Sequence, residues 1–187
     1  MRNLIYSISL TLDGCCDHMK QTVSDEGLDY LDYFVQLLRG ADIEVFGRKT
    51  WQLMVPYWPD VLQDPASTKD EIEFAQAFVD IKKVVFSRTL KNVEEPNTRF
   101  VDGDLSEEIL KLKNEPGRDI LLGGVDLASQ VIRLGLVDEY RIVIAPIVAG
   151  EGRRLMEGVN LPEQLKVKLV DSKVFESGRV VLRYRKP

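Results

Sequence analysis

The fold of this chain is restricted most by three short apolar segments. Each segment is followed directly by glycine, hydroxyl or cationic residues. They cover residues 43–46, 84–86 and 120–122. Each has the length and character of a strand buried on both faces, and amphipathic helical segments lie between them. Strands that alternate with helices are typical of βα units in a parallel sheet. We therefore predict an α/β fold with a central, mostly parallel sheet flanked by helices.

Two helices carry recognisable signals at their ends. Apolar residues recur at helical spacing over 28–38, with Ser24 in position to cap the helix and Gly40 to end it. Thr68 and Glu71 form a capping-box pattern, which predicts a helix that begins near Thr68.

Two further helices and one loop complete the middle of the chain. Ser106 is placed to cap a short helix with apolar residues at 109–112, and a later helix over 127–134 ends at Gly135. The segment 55–68 contains three prolines, so we predict a loop there.

Strand patterns occupy both ends of the chain. Residues 4–10 form the first, and the C-terminal part reads as strands over 139–148, 165–175 and 179–185. The Glu-Ser-Gly turn at 176–178 joins the last two, which predicts an antiparallel C-terminal hairpin.

Composition narrows the functional classes. The chain has 187 residues, a net charge of −5, two cysteines and one histidine. The acidic balance argues against a nucleic-acid or membrane surface, and the soft ligands are too few for a structural zinc site. His18 would have to be the base of any Ser-His-Asp hydrolase, which disfavours that class. No secretory or membrane-spanning pattern is visible, so we expect a cytoplasmic protein without a metal.

The residues after the three apolar strands predict one binding site. The carboxyl ends of parallel strands share an edge of the sheet, and ligands bind in the crevice outside it. Backbone N–H groups, hydroxyls and arginines meeting there suit a phosphorylated ligand. Taken singly, each segment also fits a tight turn or a solvated surface. The three segments are Gly47-Arg48-Lys49-Thr50, Ser87-Arg88-Thr89 and Gly123-Gly124-Val125-Asp126.

Several motifs resemble a known superfamily. Gly47-Arg48-Lys49-Thr50-Trp51 resembles the Gly-Arg-x-Thr-Trp segment of dihydrofolate reductases. The segments 11–14, 136–140 and 145–152 are similar to the C-terminal reductase domain of the bifunctional riboflavin biosynthesis deaminase-reductase. These motifs cover nearly the whole chain in the order of the superfamily. The chain is therefore identified as a stand-alone member of the dihydrofolate reductase-like superfamily, with one reductase domain over 1–187.

The resemblance implies an NADPH-dependent reductase with its cofactor across the strand ends. A cationic cluster is consistent with the additional 2′-phosphate of NADPH, whereas NAD sites usually present an acid to the ribose. By motif, the cofactor phosphates would meet Gly47, Arg48, Lys49 and Thr50, the 2′-phosphate would lie near Ser87 and Arg88, and the pyrophosphate and nicotinamide ribose would approach Gly123, Gly124 and Val125.

The resemblance also implies residues on the substrate side. Asp13 corresponds to an aspartate beside the substrate in riboflavin reductases, and we expect it to be catalytic and substrate-binding; the alternative is a turn former next to Gly14. His18 would lie in a loop over the nicotinamide or on the surface. Trp51 and Trp58 would line a pocket for a flat heterocycle or pack in the core.

The sequence also departs from both families. Riboflavin reductases place a glutamate immediately before the glycine pair, where this chain has Leu122. Dihydrofolate reductases carry an acid on the first helix, for which this chain offers Asp29 and Asp32, neither at the required spacing from Gly47.

We therefore expect hydride transfer from NADPH to a C=N bond or ribosyl imine of a pteridine- or pyrimidine-type substrate. The nearest reaction is reduction of 5-amino-6-(5-phosphoribosylamino)uracil, with dihydrofolate reduction as the alternative. A non-catalytic NADPH-binding sensor and a purely structural oligomer are the alternatives from other classes. The apolar C-terminal strands predict a homodimer with no nucleic-acid or membrane partner.

Overall fold

The computed structural model describes residues 1–21, 29–90 and 93–187, and its centre is one eight-stranded sheet. The strand order is β4-β3-β2-β5-β1-β6-β8-β7. The strands are β1 (Leu4–Thr11), β2 (Ala41–Gly47), β3 (Lys82–Phe86), β4 (Thr98–Val101), β5 (Asp119–Leu122), β6 (Glu139–Ala145), β7 (Lys168–Val174) and β8 (Val180–Arg185).

Six neighbouring strands, from β4 to β6, are parallel, and β8 runs antiparallel to both β6 and β7. The predicted mostly parallel sheet with an antiparallel C-terminal hairpin is thus confirmed. Strand β2 lies between β3 and β5 and pairs in parallel with both. The carboxyl ends of these three strands therefore share one edge of the sheet.

Helices cover both faces of this sheet. They are α1 (Asp29–Gly40), α2 (Arg48–Met54), α3 (Tyr57–Val61), α4 (Lys69–Asp80), α5 (Leu105–Asn114) and α6 (Asp126–Arg133). Buried residues of α1 and α4 pack with Ile5, Phe46 and Leu121 on one face, whereas those of α5 and α6 pack with Val45 and Leu122 on the other. Alternate residues of the central strands therefore supply two separate cores.

The capping box of α4 is present as predicted. The Glu71 backbone N–H donates to Thr68 Oγ1 at 3.3 Å, and the Thr68 N–H donates to Glu71 Oε2 at 2.8 Å. The predicted cap Ser24 and the first apolar residue of that earlier helix, Leu28, lie outside the described residues.

Two local predictions were wrong. The segment 55–68 is not a loop throughout, because it contains α3, in which Pro56 is the N-cap and Pro59 lies in the first turn. Proline is tolerated there because the first N–H groups of a helix have no partner within it. The cap of α5 is Asp104 rather than Ser106, since its side chain accepts from the Glu107 N–H at 3.0 Å.

The edge strand β4 had no counterpart in the sequence patterns, because its four residues form too short a segment. At the opposite edge, every residue of β7 is exposed. Among the described residues, no helix has both the length and the apolar character needed to cross a membrane.

Candidate functional site

One large cavity, of about 710 Å³, opens at the carboxyl ends of β2 and β5 and extends between the sheet and α1. Two of the three predicted strand-end segments line it, those after β2 and β5. We call the part formed by these two segments the outer cleft, and the part beneath α1 the inner pocket. The outer cleft contains Gly47, Arg48, Lys49, Thr50, Gly123, Gly124 and Val125.

The glycine pair of the outer cleft is fixed by both conformation and space. Gly124 has φ +78°, and a Cβ on it would lie 2.5 Å from Thr50 Oγ1. Its carbonyl accepts a hydrogen bond from the Tyr6 hydroxyl at 3.1 Å. Only glycine satisfies this φ without strain and leaves bare backbone at the cleft, the environment in which a phosphate can approach closely.

Three cationic side chains line the outer cleft. Arg48 Nη1 donates to Gln52 Oε1 at 3.1 Å, which leaves most of its guanidinium donors available. Lys49 Nζ and Arg153 Nη2 lie 3.9 and 2.7 Å from the carboxylate of Asp126. The hydrogen bond from Arg153 holds the pKa of Asp126 below its usual range. A phosphorylated ligand would thus meet three cations and one carboxylate.

Arg153 was missed at the sequence level. Arg153 belongs to the segment after β6 and lines the cavity, where it contacts Asp126 of α6. These two segments are separate in the sequence, so no local pattern predicts their contact. The segment 145–152, which is similar to the riboflavin biosynthesis reductase domain, ends one residue before Arg153. That proximity is the signal that the sequence offered.

The N-terminus of α6 also faces the outer cleft. Its N-cap, Val125, makes no side-chain capping bond, and both Val125 and Asp126 line the cavity. Backbone N–H groups at such a position are available to an anion. Together with the cations and the glycine backbone of the outer cleft, this donor set fits the pyrophosphate of a dinucleotide.

The third strand-end segment lies beside the cavity rather than in its lining. Phe86 lines the cavity, but the residues that follow it do not. Ser87 Oγ accepts from the N–H groups of Thr89 and Leu90 at 3.2 and 2.9 Å, so it closes its own turn. Arg88 is exposed. Ser87 and Arg88 therefore follow the neighbouring strand end, at the outer side of the cleft.

The inner pocket has apolar and aromatic walls. Its lining includes Tyr30, Leu31 and Phe34 from α1, Trp58 from α3, and Phe74 from α4. The rings of Trp58 and Phe74 lie 4.4 Å apart, centroid to centroid. This shape and composition suit a flat heterocycle.

Glu44 is a second acid that lines this cavity, besides Asp126, and it was missed at the sequence level. It lies on β2 opposite Leu121 of β5 and lines the cavity. Its Oε2 is buried and has no hydrogen-bond partner among the described residues. Burial raises the pKa of Glu44 to about 7, although the charge of Lys83 acts in the opposite direction. A glutamate inside the otherwise apolar segment 43–46 was the signal that was available.

Asp13 does not reach the cavity lining. Its carboxylate accepts hydrogen bonds from the Thr11 hydroxyl at 2.6 Å and from the N–H groups of Ala149 and Gly150, both at 3.0 Å. It also lies 3.0 Å from Arg154 Nη1. These partners, first the Thr11 hydroxyl, hold the pKa of Asp13 well below its usual range. The structure thus places Asp13 as an anchor of the segment after β6.

The other substrate-side candidates differ in their positions. His18 lines the cavity and is exposed, and Trp58 lines it as described. Trp51 does not line it, because its ring packs edge to face against Phe100 with centroids 5.2 Å apart. Of the acids on α1, Asp32 is exposed and Asp29 accepts from the Ser177 N–H at 3.1 Å, and neither lines the cavity.

Two proteins of Bacillus subtilis are similar to this chain over most of their length. The chain is 33% identical to the uncharacterized protein YyaP of Bacillus subtilis (strain 168), over 98% of this chain and 94% of YyaP. It is 22% identical to YwjB of the same organism, over 93% of this chain and 92% of YwjB.

Two solved structures are similar over nearly the whole chain. A candidate riboflavin biosynthesis protein from Shewanella sp. PV-4 matches with a TM-score of 0.71 and 20% identity, covering 100% of this chain and 99% of that one. A pyrimidine reductase-like protein from Corynebacterium diphtheriae matches with a TM-score of 0.63 and 14% identity, covering 98% and 91%. The family model of the RibD C-terminal domain matches residues 2–181. Because this family model covers nearly the whole chain, the chain belongs to the RibD C-terminal domain family.

Proposed function

We propose that this protein is an NADPH-dependent reductase that acts on a C=N bond or ribosyl imine of a pyrimidine- or pteridine-type heterocycle. The observation that carries the proposal is a single cavity that joins a glycine-lined, cationic outer cleft to an aromatic inner pocket. Family membership and the names of the two similar structures support a reductase of the riboflavin-pathway type.

The outer cleft would hold the nucleotide. Arg48, Lys49 and Arg153 supply positive charge, while Gly123 and Gly124 supply bare backbone. This positive charge favours NADPH over NADH, because NADPH carries an additional negatively charged 2′-phosphate. NAD sites instead usually present an acid to the ribose, which would repel that phosphate. Arg88, beside the cleft, would reach the 2′-phosphate. When bound, the reduced nicotinamide supplies the hydride, and the protein supplies binding, orientation and exclusion of water.

The inner pocket would hold the heterocycle. Reduction of 5-amino-6-(5-phosphoribosylamino)uracil is the nearest named reaction. Dihydrofolate reduction is less well supported, because the acids on α1 do not line the cavity. Leu122 stands at the position of the riboflavin-reductase glutamate, and the missing carboxyl favours a nucleotide-binding protein without turnover. Glu44, on the neighbouring strand, supplies the cavity with a carboxyl in its place, which favours the reductase.

The test is oxidation of NADPH by the purified protein, followed by the loss of reduced-nicotinamide absorbance. The two substrates are 5-amino-6-(5-phosphoribosylamino)uracil and, separately, dihydrofolate. We expect turnover with the first and little or none with the second. Binding of NADPH without oxidation in the presence of either compound would support the sensor and contradict the reductase.

We also propose a homodimer, for which the edge strand β7 is the supporting feature. Its side chains Leu169, Val170 and Val174 are 48%, 45% and 72% exposed, so the edge presents apolar surface. Light scattering at micromolar concentration tests this, and a monomeric mass would contradict it.

A further inference from the structure

The inner pocket contains three buried polar atoms that have no hydrogen-bond partner within the described part of the chain. They are Ser7 Oγ, Glu44 Oε2 and Trp58 Nε1, and all three residues line the cavity. Buried polar atoms in folded proteins are nearly always paired, because an unpaired one costs free energy. Three residues that line one cavity therefore each carry an unpaired buried polar atom, and a polar ligand in the cavity would pair these atoms once the side chains rotate toward it.

Their chemistry restricts that ligand. The Trp58 indole only donates, so it requires an acceptor such as a ring carbonyl. The Ser7 hydroxyl both donates and accepts, and the Glu44 carboxyl does so when protonated. The apolar walls formed by Leu31 and Phe34 exclude a highly charged body. The three atoms thus match an oxo-substituted nitrogen heterocycle, whose edge carries a carbonyl together with ring nitrogens.

Glu44 also lies where the two parts of the cavity meet. A Cβ built on Gly123 would be 3.4 Å from Glu44 Oε1, so one carboxyl oxygen is beside the glycine pair of the outer cleft. The other oxygen, Oε2, is the unpaired buried atom. The carboxyl is therefore adjacent both to the proposed nucleotide site and to the proposed heterocycle site.

We infer that Glu44 binds the polar edge of an oxo-substituted nitrogen heterocycle and donates the proton that its C=N nitrogen takes up on reduction, an inference that rests on the proposed function. The carbon of the C=N bond receives a hydride, the π bond breaks, and its electron pair takes the proton from Glu44. NADPH is oxidised to NADP⁺, and the Glu44 carboxylate regains a proton from water through the cavity mouth.

The surroundings of Glu44 support a protonated carboxyl near neutral pH. Burial raises its pKa to about 7. Lys83 on β3 is the charged group that opposes this, but its Nζ donates to the carbonyls of Val79 and Ile81 at 3.2 and 2.9 Å. The cations Arg48, Lys49 and Arg153 belong to the outer cleft, and His18 lies exposed at the cavity.

The binding role is tested with pterin (2-amino-4-oxopteridine), titrated by fluorescence against the purified protein without nucleotide. Glu44→Leu removes both donor and acceptor, and we expect about tenfold weaker pterin binding. Glu44→Gln keeps one donor and one acceptor, so its pterin affinity should stay within about threefold of wild type. The matched control is Glu163→Gln, an exposed glutamate outside the cavity, with unchanged affinity expected. Wild-type affinity in Glu44→Leu, or no pterin binding by the wild-type protein, would overturn the binding role.

The proton-transfer role is tested by comparing kcat with KM in the same variants. For Glu44→Gln we expect kcat to fall by about a hundredfold or more with little change in KM, because an amide cannot act as a general acid. Retained kcat would overturn this role. NADPH binding is measured by calorimetry for the wild-type protein and for each variant. If the wild-type protein does not bind NADPH, the proposed function is overturned. If all variants bind NADPH with equal affinity, any loss of activity lies in binding or reduction of the heterocycle.

Discussion

Thr50 and Gly124 are in such close contact that no side chain fits between them. A Cβ on Gly124 would lie 2.5 Å from Thr50 Oγ1, and Gly124 has φ +78°. This contact joins the first turn of α2 to the glycine pair after β5, so it fixes the two sides of the outer cleft relative to each other.

Gly124→Ala tests this contact, and Gly135→Ala is its matched control. Gly135 has φ +67°, but a Cβ on it would have nothing within 4 Å, so alanine there adds backbone strain alone. We expect about 1–2 kcal/mol lower unfolding free energy for the control and a larger loss for Gly124→Ala, with weaker NADPH binding only in the latter. Denaturant unfolding and calorimetry measure both, and equal effects of the two substitutions would contradict the steric account.

Arg48→Ala and Arg88→Ala separate recognition of the 2′-phosphate from general charge. Each should weaken NADPH binding by about 1–3 kcal/mol, the value of a lost charge-assisted hydrogen bond, while affecting NADH much less. Arg133→Ala, an exposed arginine at the far end of α6, is the control. Equal losses for the two nucleotides would show that these arginines do not read the 2′-phosphate.

Asp13→Asn distinguishes an anchor from a catalytic residue. As an anchor, Asp13 binds the N–H groups of Ala149 and Gly150 and the guanidinium of Arg154. We therefore expect the variant to have a lower Tm and a kcat within about threefold of wild type. Loss of a general acid or base would lower kcat far more. The lowered pKa means that this stabilisation is present above the usual aspartate pKa and is lost as pH falls below it. Thermal unfolding at neutral and acidic pH measures the difference. Lost turnover at an unchanged Tm would support the catalytic role instead.

Glu139→Gln should destabilise the C-terminal strands. Glu139 is 1% exposed and accepts hydrogen bonds from Arg141, Arg183 and Arg185 at 2.6–3.0 Å. Burial opposes its ionisation, but these bonds outweigh it and lower the pKa of Glu139 to about 2. We expect a loss of about 2–4 kcal/mol in unfolding free energy, since the arginines are partly solvated. Urea unfolding measures it, with Glu163→Gln as control; a loss equal to the control's would contradict this account.

Glu44→Gln should change how stability depends on pH. Because the folded pKa of about 7 lies above the unfolded value, wild-type stability is full below the unfolded pKa and falls as pH rises through 7. The fall is at most about 3–4 kcal/mol, at ~1.4 kcal/mol per pKa unit between the usual 4.5 and about 7. The variant lacks this titration, so it should be more stable than wild type at pH 8 but not at pH 4. Urea unfolding at both pH values checks this, and parallel pH profiles would contradict it.

Much of the fold was predictable because the informative segments are locally consistent. The apolar strands at 43–46, 84–86 and 120–122 and the capping box at Thr68 each carry a complete signal within a few residues. The four-residue β4 and the proline-containing α3 do not, since tertiary packing rather than local pattern stabilises them.

The site was predictable only where it follows a strand end. Gly47 and Gly124 belong to loops whose position follows from a parallel sheet. Glu44 required knowledge of which face of β2 meets α1, because side chains alternate and a one-residue shift moves a carboxyl from one core to the other. Arg153 and the true partners of Asp13 depend on contacts between segments far apart in the chain, which no local pattern reveals.

Calorimetric titration of the purified protein with NADPH, and then with NADH, measures whether the outer cleft binds the cofactor. We expect clear binding of NADPH and at least about tenfold weaker binding of NADH, consistent with one lost charge-assisted contact. Failure to bind either nucleotide would contradict the reductase and leave the cleft as a feature of the fold alone.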